Sequence, residues 1–228
     1  MNNDASGMPR DRLWQPVTIR WFAVIVGGSV AFSILRYHIA GDVAWAHFPL
    51  FILNKATSLA AVFFVASSYL VGRVFRWHNH DPVLRLVVVK YCGLSGFFLA
   101  GVHALMSLCI LNPSYFAKYF DADGRLNAVG EIGMAVGVIA LFFLMSPAIT
   151  TLPMMAKAIG GKRWKRSQRA GYLALILIVA HLVDLGLKGW LAPKGWPWGL
   201  PPISMIAVTA AVIPLVIKKR ELTSEGSS

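Results

Sequence analysis

Charge is what this sequence has least of. Only 14% of its 228 residues are Asp, Glu, Lys or Arg and 57% are hydrophobic, where ordinary globular domains carry roughly 25% charged residues. That shortage excludes a water-soluble domain and predicts an all-α, polytopic membrane protein. The length allows about six spanning helices of roughly 20 residues each, with short loops and no separate soluble domain. A nucleotide-binding module is therefore expected on another chain. Acids are scarcer still, 10 against 22 bases, for a formal net charge of +12. In a membrane protein that excess reports orientation, because Lys and Arg are retained on the cytoplasmic side, and no nucleic-acid partner is expected. Cysteine is nearly absent. Cys92 and Cys109 fall in one apolar run, about 25 Å apart along a helix, and do not pair within the chain. With no CxxCH motif, covalent c-type haem attachment is not expected. Tandem repeats are absent too.

What is present is a series of apolar runs. They predict spans over about Val17–Leu35, Pro49–Val71, Leu84–Leu111, Ala128–Leu152, Ala170–Leu191 and Ile203–Ile217, together a six-helix bundle over 17–217 whose outer surface meets membrane lipid. Residues 1–16 and 218–228 read as polar cytoplasmic tails. No small-residue cleavage site follows the first run, so it reads as an uncleaved anchor. Trp45 suits an interface position in the first loop. Asp81-Pro82 marks a turn in the basic connector GRVFRWHNHDPVLR, whose His78 and His80 read as solvated loop histidines. Asn112-Pro113 ends the third span, and the stretch TTLPMMAKAIGGKRWKRSQR reads as the most basic loop. Gly133 and Gly137 have small-xxx-small spacing, which permits close helix approach and reads as packing.

With the amino terminus inside, only Arg36, Lys55, Lys118, Arg125, Lys188 and Lys194 fall in the outer half, and the remaining Lys and Arg fall inside. The positive-inside rule thus favours both termini in the cytoplasm of a cell-membrane protein, the bacterial inner membrane fitting best.

Two histidines lie deep in apolar runs: His103 in the third and His181 in the fifth. An ionisable side chain at that depth costs a few kcal/mol or more unless partnered, so each is a candidate functional residue. From Arg166 to His181 a helix rises about 22 Å, and from His181 to Lys188 about 10 Å, which puts His181 in the outer half. His103 matches it in depth. Two neutral imidazoles at one depth can ligate one haem iron from both sides, a low-spin arrangement suited to single-electron transfer. Gly96, one heptad before His103, and Ala100 would make room for the ring. The alternative is that each histidine bridges helices in a cofactor-free transporter or assembly partner. A transporter would show internal repeats or broken helices near the midplane, and neither is evident.

The stretch Ala148–His181 resembles the ferric reductase-like transmembrane family, which includes NADPH oxidases, ferric reductases and the membrane haem subunit of the methionine sulfoxide reductase system. The residues that carry the resemblance are Thr150-Thr151, Gly160-Gly161, Trp164, Gln168, Arg169, Tyr172 and His181, with His103 on the third span; it covers roughly Leu84–Leu191. It implies haem b as cofactor and His103 and His181 as metal ligands, within an electron-transfer subunit of an oxidoreductase. It also implies an electron-donating flavoprotein or membrane quinol and an outer-side acceptor such as ferric iron, oxygen or a soluble reductase. Two-haem members carry another histidine about 13 residues before the outer one. Here that position is Gln168, and the third span offers Val89, Lys90 and Tyr91 at the equivalent depth, so one haem is expected. The inner half could take a quinone or flavin against Gln168, Arg169 and Lys90, or be a solvated basic helix entry. Arg36 or Lys55 could neutralise haem propionates, and Asp184 and Lys188, spaced i to i+4, could pair with each other. No catalytic residue is assigned.

Overall fold

A computed structural model describes residues 15–77 and 82–217. Tail 218–228, tail 1–16 but for its last two residues, and His78 and His80 lie outside the described residues. The chain is an all-α membrane bundle of six helices long and apolar enough to cross a bilayer. Their α-helical parts are α1 (Gln15–Ile34), α2 (Leu53–Trp77), α3 (Pro82–Cys109), α4 (Ala128–Thr150), α5 (Pro153–Trp190) and α6 (Ile203–Val216), the sixth span beginning at Pro197. Among the described residues there is no β-strand, only an isolated bridge between Phe120 and Leu126.

Local chemistry sets some of the ends. Asn127 accepts a hydrogen bond from the Gly130 amide at 3.0 Å and caps α4, supplying one of the orphan-donor bonds a helix start needs. Asn112 does the same for the one-turn helix Pro113–Phe116, accepting from the Ser114 amide. The first apolar run does not stop at Leu35. It continues as a π-helical turn, Leu35–Ile39, closed by the Ala40 amide donating to the Leu35 carbonyl at 2.8 Å. A second π turn, Phe48–Ile52, leads into α2.

The largest departure from the sequence reading is the basic stretch before Ala170, which is helix and not loop. Pro153 opens α5 at a position where its missing N–H costs nothing, and the Ala, Met, Lys, Arg and Gln that follow are strong helix formers. Their charge decides that they meet water, not what their backbone does. One break remains at Gly160, with φ 70° and ψ 164°, a region open essentially to glycine alone.

The helices close a ring in which α2 packs on α3, α3 on α4, α4 on α5, α5 on α6 and α6 back on α2, while α1 lies against α2. α2 is therefore buried on two faces. Leu59, Val62 and Val65 join Leu144, Ala174, Leu175, Ile203 and Ala207. Ala60, Ala61 and Phe64 meet Val88, Cys92 and Leu99. Small residues recur at these seams, as membrane helices require when close packing replaces hydrophobic exclusion from water. Cys92 is buried and Cys109 exposed, both as free thiols.

Candidate functional site

The ring surrounds a cavity of about 420 Å³ lined by residues of α2 to α6, by Arg36 and Tyr37 of the first π turn and by the segment between α3 and α4. His103 and His181 both line it. The sequence could match their depth; the bundle brings them onto one space from α3 and α5.

Each ring is held by its Nδ1. His103 Nδ1 lies 2.6 Å from Asn54 Oδ1, and His181 Nδ1 lies 2.7 Å from the Gly133 carbonyl oxygen. Oxygens of this kind have no hydrogen to give, so both Nδ1 atoms are the protonated nitrogens and both Nε2 atoms carry the free lone pair. Among the described residues neither Nε2 has a hydrogen-bond partner. Among the described residues, too, no three His, Cys, Asp or Glu side chains converge on a point. A bare ion would find only two protein ligands, whereas a macrocyclic metal needs only two.

Gly133 and Gly137 do more than bring helices together. A Cβ on Gly137 would lie 2.9 Å from His181 Nδ1 and 3.0 Å from its Cε1, and one on Gly133 would strike Leu185 Cδ2 at 2.5 Å. One glycine seats the imidazole and the other lends it a carbonyl. Gly96 is a correction in the opposite direction. It makes no room for a ring but lies at the α2–α3 crossing, where a Cβ would meet Val65 Cγ2 at 2.6 Å and Val65 N at 2.9 Å. Ala100 and Ala104 do line the cavity.

The cavity is positively charged. Arg36, Lys55 and Lys118 line it, and no Asp or Glu does. Arg36 is 8% exposed; one of its Nη atoms donates to the Leu200 carbonyl, while its Nε is buried without a partner. Lys55 sits over the rings of Phe51 and Phe116, 5.2 and 5.0 Å from their centroids. Lys118 donates to the Leu185 carbonyl at 3.1 Å. Tyr119 donates to that carbonyl at 3.0 Å. Burial chiefly, with Tyr37 and Asp184 adding, raises the Tyr119 pKa and keeps the phenol a neutral donor. The one ion pair among the described residues, Arg125 with Asp123, is exposed in the segment before α4. Asp184 and Lys188 do not pair: Asp184 Oδ2 is buried with no hydrogen-bond partner.

Gln168 and Arg169 do not join this cavity. Gln168 reaches across to α4, its Nε2 3.4 Å from both the Pro147 carbonyl and Thr150 Oγ1, and its own carbonyl accepts from Tyr69 at 3.3 Å. Arg169 is exposed, and Lys90 lies beside the Tyr91 ring. Asn54 and Ser107 were not legible as site residues. Their one sequence signal is that Ser107 stands four residues after His103, on the same helix face.

No family model matches the chain. It is 24% identical over 230 residues to Metalloreductase STEAP2 of Mus musculus, covering 85% of this chain and 46% of that protein. It is 27% identical over 134 residues to the Protein-methionine-sulfoxide reductase heme-binding subunit MsrQ of Herminiimonas arsenicoxydans, 58% of each. Magnetosome protein MamZ of Magnetospirillum gryphiswaldense is 29% identical over 102 residues, 41% of this chain and 14% of that protein. The chain spans about half the length of the first two of these relatives. The metalloreductase and MsrQ relatives bear out the resemblance to the ferric reductase-like membrane family.

Proposed function

We propose that this chain is a membrane electron-transfer subunit that binds one haem b between His103 and His181. The observation that carries the reading is the pair of imidazoles lining one cavity from facing helices, each with Nδ1 engaged and Nε2 free. Each Nδ1 already bridges two helices, which leaves both Nε2 lone pairs for a ligand. The relatives support a redox role, since their names include metalloreductases and a heme-binding reductase subunit.

The lining residues fit a b-type haem on charge as well. A buried guanidinium whose Nε lacks a partner, in a lining shared with Lys55 and Lys118 and without a carboxylate, is costly unless an anion joins it. A b-type haem carries two carboxylates. His103 and His181 would ligate its iron, Arg36 and Lys55 would face its propionates, and Gly137 with Ala100 and Ala104 would clear its path. Bound there, haem supplies one-electron chemistry at a centre shielded from water.

In the same proposal residues 17–217 form the haem domain between cytoplasmic tails, in a bacterial inner membrane. Electrons enter from a cytoplasmic flavoprotein or membrane quinol and leave to an outer-side acceptor or soluble reductase. Gln168 and Arg169, on the inner half of α5, would meet that donor, whether a quinone or a flavin. The test is an absorption spectrum of the purified protein, oxidised and then dithionite-reduced, with haem quantified per chain. One non-covalent b-type haem is the expected result. A colourless protein from haem-replete cells overturns the reading, and two haems per chain overturn the reading of Gln168.

A further inference from the structure

The two histidines differ in what stands behind them. His181 leans on the backbone carbonyl of Gly133, an acceptor no substitution can remove. His103 leans chiefly on a side chain, with the Asn54 backbone carbonyl a longer 3.3 Å from the same Nδ1. Asn54, 1% exposed on α2, accepts from His103 Nδ1 through Oδ1 at 2.6 Å, and its Nδ2 donates to Ser107 Oγ at 3.1 Å. His103 and Ser107 stand one turn apart on α3 and grip the same amide from above and below.

Ser107 Oγ lies 3.1 Å from Nδ2 and 3.3 Å from Oδ1, and the shorter contact favours the amide orientation that turns Oδ1 to the imidazole. An amide turned the other way would present Nδ2 to the imidazole. Nδ1 would then accept, the proton would move to Nε2, and His103 could no longer ligate a metal through that atom. The partner behind a ligating imidazole also tunes it, since a stronger acceptor at Nδ1–H makes Nε2 a better electron donor and stabilises the oxidised metal.

We infer that Asn54, held by Ser107, is the positioning residue that keeps His103 in its ligating tautomer and sets the reduction potential of the bound haem. The inference rests on the haem reading above. Asn54 itself touches no iron, and its role is exerted entirely through His103.

The experiment is spectroelectrochemical titration and low-temperature EPR of the haem-loaded full chain, comparing wild type with Asn54→Asp, Asn54→Leu and Ser107→Ala. Asn54→Asp places a stronger acceptor behind His103 and should shift the midpoint potential negative. Asn54→Leu removes the nearer acceptor, leaving the longer contact to the backbone carbonyl, and should shift it positive, with altered g-values from a reoriented ring. Ser107→Ala frees the amide to turn and should give a smaller positive shift with broadened EPR features. Shifts of one sign for both Asn54 variants, or unchanged potentials and spectra, overturn the inference while leaving the haem reading intact. If both Asn54 variants lose haem, Ser107→Ala decides, because it keeps Asn54 and both histidines; an unchanged potential and line shape there is likewise decisive against. A wild type without haem defeats the haem reading, and this inference with it.

Discussion

Gly137 and His181 occupy one another's space: the hydrogen of the glycine leaves the gap that the imidazole fills, and a Cβ there would stand 2.9 Å from Nδ1. Gly137→Ala should therefore push the ring off its Gly133 acceptor. Overpacking of this kind costs about 1–3 kcal/mol, roughly a 5- to 150-fold loss of haem affinity if it falls on the bound state. Gly101, with nothing within 4 Å of its would-be Cβ, is the control, and Gly101→Ala should bind as wild type does. Haem titration of the stripped protein measures both. Equal affinities for the two variants would show that the seat is not tight.

Removing either imidazole should empty the site. Axial ligation needs both faces of the iron, so His103→Ala and His181→Ala are each expected to purify without haem, while His78→Ala and His80→Ala keep it. Haem per chain, measured against protein after detergent purification, gives the answer. Full occupancy in His181→Ala would reject the ligand assignment.

Arg36 separates binding from stability. Its Nε has no partner and no carboxylate shares the cavity, so in the haem-free protein it is an uncompensated buried charge. Arg36→Met should raise the melting temperature of haem-free protein and lower that of haem-loaded protein relative to wild type. Thermal unfolding of both forms checks the sign, and a fall in both would mean that the guanidinium acts through the Leu200 carbonyl alone.

On the proposed topology direction follows from depth. Lys162, Arg163, Lys165 and Arg166 lie in the basic first half of α5, the last of them about 22 Å of helix from His181, whereas Lys188 is about 10 Å beyond it. In oriented vesicles a membrane-impermeant oxidant should discharge the reduced haem faster from the periplasmic face. Faster discharge from the cytoplasmic face would reverse either the topology or the leaflet.

Gly160 carries the only non-helical backbone inside α5. Gly160→Ala should destabilise the protein by about 1–3 kcal/mol, the usual cost of forcing a side chain into that region. Denaturant unfolding in detergent, with Gly161→Ala as the in-helix comparison, measures it.

Much of this was written locally. Six apolar runs fixed the number of spans, because a bilayer core about 30 Å thick asks for about 20 residues at 1.5 Å each. Asn112-Pro113 marked a real helix boundary, because capping depends on a side chain and the residues just after it. The depth of His103 and His181 was legible for the same reason: rise per residue is a property of one helix. The basic run before Ala170 misled, since charge is a statement about solvent and helix propensity is a statement about backbone.

Only the tertiary structure decided which neighbours each residue acquired. Gly96 and Gly137 look alike in sequence, yet one touches the backbone of α2 and the other an imidazole, because the direction each faces depends on which helix packs alongside. Asn54 carried no signal, standing 49 residues from His103, and nothing in a single strand of sequence brings α2 and α3 into register. The positive cavity was equally hidden: Arg36, Lys55 and Lys118 come from three segments, and only the closure of the ring puts them around one space without a carboxylate among them.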